Sequence, residues 1–167
     1  MSVHLDGTVW STSGDITING TGGNGVYIAN KVVAGSSTTT PLSGGAVTIN
    51  GTSTATGDYR GIFLETNSSV LAWGGISLNG NAAPNGANST TGGYYGILMY
   101  STGITVRSFN AGVDLVGTAA QYDGIYIYDG SIKIWGKNNV NLTGIGLGRA
   151  GIWTAANGTG GGIKSSN

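Results

Sequence analysis

Cysteine is missing from the chain, so neither a disulfide nor a thiolate metal site is available to staple it. Charge is scarce: seven basic and seven acidic residues among 167 leave a net charge of zero with the single histidine neutral. Nucleic acids and anionic membranes are bound by clustered Lys and Arg, so this balance speaks against both partners and makes electrostatic recognition an unpromising role. No apolar run approaches the roughly 18 residues that would cross a bilayer as a helix. The opening Met1-Ser2-Val3-His4-Leu5-Asp6 has neither the basic region nor the apolar stretch of a secretory signal peptide. Glycine is the abundant residue, 33 of 167, roughly three times ordinary usage. That much glycine, with Glu and Lys sparse, excludes a helical protein.

Internal repetition organises what is there. One recurring unit is an alternating pentad ending in glycine: Ile16-Thr17-Ile18-Asn19-Gly20, Val47-Thr48-Ile49-Asn50-Gly51, Ile76-Ser77-Leu78-Asn79-Gly80, Val113-Asp114-Leu115-Val116-Gly117 and Val140-Asn141-Leu142-Thr143-Gly144. A second, Gly-led unit follows each: Gly25-Val26-Tyr27-Ile28, Gly61-Ile62-Phe63-Leu64, Gly96-Ile97-Leu98-Met99, Gly124-Ile125-Tyr126-Ile127 and Gly151-Ile152-Trp153-Thr154, with Val3-His4-Leu5 as a version lacking the glycine. A third unit is shorter, from Val9-Trp10 and Val32-Val33 through Val70 to Trp73, Ile104 to Arg107 and Ile132 to Trp135, to Ile163-Lys164.

Every unit alternates at period two, the mark of a strand with one face buried, and no helical period appears. Three strands returning in fixed order predict an all-β fold, a parallel β-helix of three short strands per coil and five to six coils, in a single domain over 1–167. Parallel connections are overwhelmingly right-handed, so a right-handed solenoid is expected. A sandwich would need hairpin turns and a propeller four strands per repeat. In this reading Asn19, Asn50 and Asn79 occupy equivalent corners, where Asn tolerates left-handed backbone, and their amides stack along a column. The turns from Gly20 to Gly25 are read as corners too. Ile62, Ile97 and Ile125 should share one inward column.

Segments such as Gly14-Asp15-Ile16-Thr17-Ile18-Asn19-Gly20-Thr21-Gly22-Gly23-Asn24-Gly25-Val26-Tyr27-Ile28 resemble the haemagglutinin-like repeats of large bacterial two-partner-secretion exoproteins, including filamentous adhesins. The resemblance runs from Val3 to Lys164. It implies a β-helical shaft outside the cell or on its surface, part of a longer repeat region, whose partners are flanking coils or further copies end to end and a host or microbial surface glycan or protein. Cofactors are not expected, nor a nucleic-acid partner or a membrane span. The alternative is a filament subunit that stacks through uncapped coil edges; a polysaccharide-active β-helix enzyme is a minor alternative.

Candidate interaction residues follow from position. The outward place of the Gly-led unit reads His4, Tyr27, Phe63, Leu98, Tyr126, Trp153, a contiguous apolar strip of the kind that marks interaction. Tyr94 and Tyr95 close the longest connection, Asn81 to Tyr95, and long loops on rigid scaffolds commonly carry recognition. Trp73, Arg107 and Trp135 are read as a shorter column. Asp58, Arg60 and Glu65, and Asp123 with Asp129, are the only carboxylate groupings, and they read as solvated loop charges. His4 stands alone, so no triad can be assembled around it. Asn-x-Ser/Thr sequons occur at Asn19, Asn50, Asn67, Asn88, Asn141 and Asn157; Asn67, Asn88 and Asn157 are the candidates for glycosylation.

Overall fold

The computed structural model describes residues 1–55, 57–82, 93–154 and 162–165, with positions 57, 58 and 93 described by their backbone alone. Within these there are seventeen strands and no helix. The first two cycles are β1 (Val3–Leu5), β2 (Val9–Ser11), β3 (Ile16–Gly22), then β4 (Val26–Ile28), β5 (Lys31–Ala34), β6 (Val47–Ser53). The next two are β7 (Gly57–Leu64), β8 (Ser69–Ala72), β9 (Ile76–Ala82), then β10 (Gly93–Met99), β11 (Thr105–Ser108), β12 (Val113–Ala119). The chain continues with β13 (Ile125–Ile127), β14 (Lys133–Gly136), β15 (Val140–Gly146), β16 (Ile152–Thr154) and β17 (Gly162–Ser165).

Each strand pairs in parallel with its equivalents one cycle before and after. The Gly-led units build a six-stranded sheet 1 in the order β1-β4-β7-β10-β13-β16. The short units build a six-stranded sheet 2, from β2 to β17, and the pentads a five-stranded sheet 3, from β3 to β15. Every repeat of the sequence is thus one coil of a parallel β-helix. The expected inward column is present: Ile62 pairs with Ile97 and Ile97 with Ile125, and all three are fully buried. Burying one such side chain contributes about 1.5–3 kcal/mol relative to leaving it in water, and stacked coils multiply that term.

Sheet 3 corrects two expectations. Its strands do not stop at the pentad glycine but run two residues past it, so Asn19, Asn50 and Asn79 sit mid-strand with no left-handed backbone. Their amides do form the ladder: Asn50 Nδ2 donates to Asn19 Oδ1 and Asn79 Nδ2 to Asn50 Oδ1, both at 2.8 Å. The pentad glycines likewise serve close approach, and the corner expected from Gly20 to Gly25 falls at residues 23–25, between β3 and β4. A Cβ on Gly51 would meet the Gly61 carbonyl oxygen at 2.0 Å, and one on Gly80 would meet that of Gly96 at 2.1 Å. Along β12 the inward positions read Val113, Leu115, Gly117, Ala119, all buried. The interior is therefore wide where sheet 3 begins and closes to backbone contact at the glycine column, which only a residue without a side chain permits.

Candidate recognition face

The outward column of sheet 1 forms in the register that the repeats imply: His4, Tyr27, Phe63, Leu98, Tyr126 and Trp153 are successive Cα partners. Its members differ in role. His4 and Tyr27 meet edge to face at 4.1 Å between centroids, and Tyr27 and Phe63 at 5.1 Å. The Tyr27 hydroxyl donates to Glu65 Oε2, one strand end away. Burial, then this hydrogen bond and the Glu65 charge, push the Tyr27 phenol up to about 12. The Arg60 guanidinium lies 5.0 Å from the Phe63 ring centre, a cation–π contact. Arg60 and Glu65 thus each serve a ring of the strip rather than a carboxylate site.

Leu98 departs from the reading. It is 2% exposed and offers a partner almost nothing. Set between Phe63 and Tyr126 one coil to either side, the shorter side chain is shaded by its larger neighbours and acts as outer packing.

Beyond Leu98 the strip widens into a cluster that the column alone did not reveal. Tyr94 and Tyr95 belong to strand β10 and not to a loop, because pairing with β7 extends back to Gly93. Both meet Tyr122, at 4.6 and 5.7 Å, and Tyr95 meets Tyr126 at 5.0 Å. Tyr126 in turn stacks on Trp153 at 4.4 Å with 8° between planes, and Tyr100 on Tyr128 at 4.6 Å. Six of the eight tyrosines therefore gather with one tryptophan over three coils. Burial raises the Tyr95 and Tyr126 phenols, with the neighbouring phenols and Asp123 adding to it, so both stay neutral hydroxyl donors through the ordinary pH range.

Tyr100, Tyr122, Tyr128 and Arg149 were missed because they lie outside the repeating units. A signal existed in the spacing, since Tyr126 and Tyr128 occupy the same side of an alternating stretch. Asp123 is also more than a loop charge. It is fully buried, Oδ1 accepts from the Ala150 amide at 2.9 Å, and the Arg149 guanidinium stands 3.9 Å from Oδ2 and 5.4 Å from the Tyr122 ring centre. Asp129 caps its own turn, and its bonds from the Ser131 hydroxyl and amide hold it below the usual carboxylate range.

The side chain of Asp58 and the sequons at Asn88 and Asn157 lie outside the described residues. Asn67 is exposed on a left-handed turn with φ 60°, its amide bonded to the Thr102 carbonyl of the next coil. Asn19 and Asn50 are engaged in the amide ladder, and Asn141 Nδ2 donates to Asp114 Oδ1 at 2.6 Å. Among the described residues no three His, Cys, Asp or Glu side chains converge as metal ligands would.

On sheet 2 the expected column of Trp73, Arg107 and Trp135 is corrected by the register. Arg107 pairs with Leu71 on one side and Trp135 on the other, while Trp73 lies beyond the end of β8. The outward series is Trp10, Val33, Leu71, Arg107, Trp135, Lys164.

No family model matches the chain, and no curated protein or solved structure matches it.

Proposed function

We propose that the chain is a non-enzymatic adhesive segment of a large secreted or cell-surface bacterial protein, a rigid shaft that presents an aromatic face. The observation that carries this reading is the aromatic cluster of sheet 1. Tyr95, Tyr126 and Trp153 stand on paired strands, half-buried and ring against ring over a fully buried core, so little conformational entropy is lost when a ligand settles on them. Tyrosine and tryptophan offer broad apolar area with polar tips, which suits sugar rings and protein surfaces alike. The haemagglutinin-like resemblance supports an extracellular location and a place among further coils.

A glycan array probed with the purified chain tests the reading. Retained ligands lost by Tyr126→Ala with Trp153→Ala, at unchanged circular dichroism, support it. Binding untouched by the pair removes the face from recognition.

One observation favours a second reading, end-to-end assembly. The core positions of the last coil are uncovered: Ile152 and Ile163 are 40% and 47% exposed, where their partners one coil earlier, Ile125 and Ile134, are fully buried. The matching occupant is one more coil, from this chain's own continuation or from another copy. Sedimentation of wild type against Ile152→Lys with Ile163→Lys tests it. Polymers that vanish in the variant support stacking, and a wild-type monomer at micromolar concentration rules out self-assembly.

A further inference from the structure

The net charge of zero conceals a sorted distribution. Four of the seven cationic residues, Arg107, Lys133, Lys137 and Lys164, gather on the outer side of sheet 2 around Trp135. A cavity of about 410 Å³ opens there, walled by Arg107, Phe109, Trp135, Lys137 and Lys164, with no acidic residue in its lining.

The local sequence builds it from two consecutive turns. After β11, the Ser108 hydroxyl donates to the Gly74 carbonyl at 2.7 Å and accepts from the Ala111 amide at 3.0 Å, and Phe109 is set beside Arg107. After β14, the amide of Lys137 donates to the Ala111 carbonyl at 2.9 Å, and its ammonium to Asn110 Oδ1 at 3.1 Å. Gly136 is obligatory, since a Cβ there would meet the Asn139 carbonyl oxygen at 2.1 Å. The Arg107 guanidinium lies between two rings, 4.2 Å from the centre of Phe109 and 5.0 Å from that of Trp135, while the Lys164 ammonium is 5.9 Å from Trp135. Neither cation has an ion-pair partner among the described residues. Trp135 Nε1 is buried and has no acceptor among them.

We infer that this cavity binds a carboxylated sugar, a hexuronate unit of an acidic polysaccharide. A guanidinium held between rings keeps its N–H edge free, and that edge matches a carboxylate in bidentate fashion. A bare anion would leave most of the cavity unfilled, whose volume falls in the range of small-molecule sites. A neutral apolar body would desolvate Arg107 and Lys164 without pairing them. A sugar acid supplies the carboxylate, hydroxyl acceptors for the Lys137 ammonium, and a C–H face for the ring edges. The site lies on sheet 2 and does not depend on the aromatic strip of sheet 1, so its failure leaves the proposal for that strip standing.

The test is titration calorimetry of the full chain with tetragalacturonate, maltotetraose and tetraglutamate, alongside the indole N–H resonances, with Trp135 assigned through Trp135→Phe. Tetragalacturonate should bind and shift the Trp135 resonance, and maltotetraose should not. Arg107→Gln should weaken binding at least tenfold and Arg107→Lys by less, while Lys31→Gln, a charge loss elsewhere on sheet 2, should leave it unchanged. Absence of binding, equal binding of the neutral or the peptide tetramer, or equal weakening by Lys31→Gln would overturn the assignment. Tyr126→Ala with Trp153→Ala should retain tetragalacturonate affinity, and a loss there would return the site to sheet 1.

Discussion

The outer faces of sheets 1 and 2 rest on the same core and share one strand register, yet they present opposite chemistry. On sheet 1 the polar groups are consumed by the rings: Glu65 accepts from Tyr27, Arg60 lies over Phe63, and Arg149 stands between Tyr122 and Asp123. On sheet 2 the early coils place Val33 and Leu71 outward but buried, and the later coils place Arg107 and Lys164 outward and unpaired among the described residues. Ladder pairing fixes which residues become neighbours without regard to what they are. One face therefore accumulates rings along its outward column, and the other accumulates cations in the later coils of its own.

A change beneath both faces should abolish the contrast altogether. Gly80→Val drives a side chain into the Gly96 carbonyl, 2.1 Å from the required Cβ, and wedges sheet 3 from sheet 1 in the middle of the rod. The expected cost is about 3 kcal/mol or more, seen in a denaturant melt as loss of cooperative unfolding. An unchanged melt would mean that the sheets do not touch there.

Leu98→Ala bears on the claim that part of the sheet 1 face is packing. It should cost about 2 kcal/mol in the same melt, against less for Phe63→Ala, whose ring is half-exposed. The reverse order would make Leu98 the open position and Phe63 the buried one.

Asn50→Ala removes the middle rung of the amide ladder and leaves the carboxamides of Asn19 and Asn79 partly unmatched. Because water reaches both, the loss should be about 1 kcal/mol, measured by the shift in denaturant midpoint.

Tyr27→Phe sharpens the comparison at high pH and does little at neutrality. The folded phenol is pushed up to about 12 from an ordinary value near 10. Below pH 10 both states keep the proton and the full stability is present. Between about pH 10 and 12 the unfolded chain releases its proton first, and stability falls as pH rises through that window. The variant should show a shallower decline there in urea midpoints; the same slope as wild type would mean that Tyr27 is free of Glu65.

The period-two units made the coil, its three strands and the inward Ile62–Ile97–Ile125 column readable, because burial on one face leaves its imprint on every second residue. They also gave the column from His4 to Trp153, since equivalent positions of a repeat must stack. Tyr100, Tyr122 and Tyr128 escaped because the connections that hold them vary from coil to coil. Leu98 was misjudged because alternation separates inward from outward, and outward is not the same as exposed.

The amino-acid sequence by itself determined the architecture and the stacking partners, since each follows from short-range alternation repeated at a regular interval. Tertiary structure alone decided what the glycines are for, which outward side chains are covered, and where the charges gather. Those depend on distances between backbones of different sheets and on residues brought together from separate coils. Gly51 against Gly61, Asp123 beneath Arg149, and Arg107 between Phe109 and Trp135 are set by how tightly the coil closes, and a linear pattern holds no record of that closure.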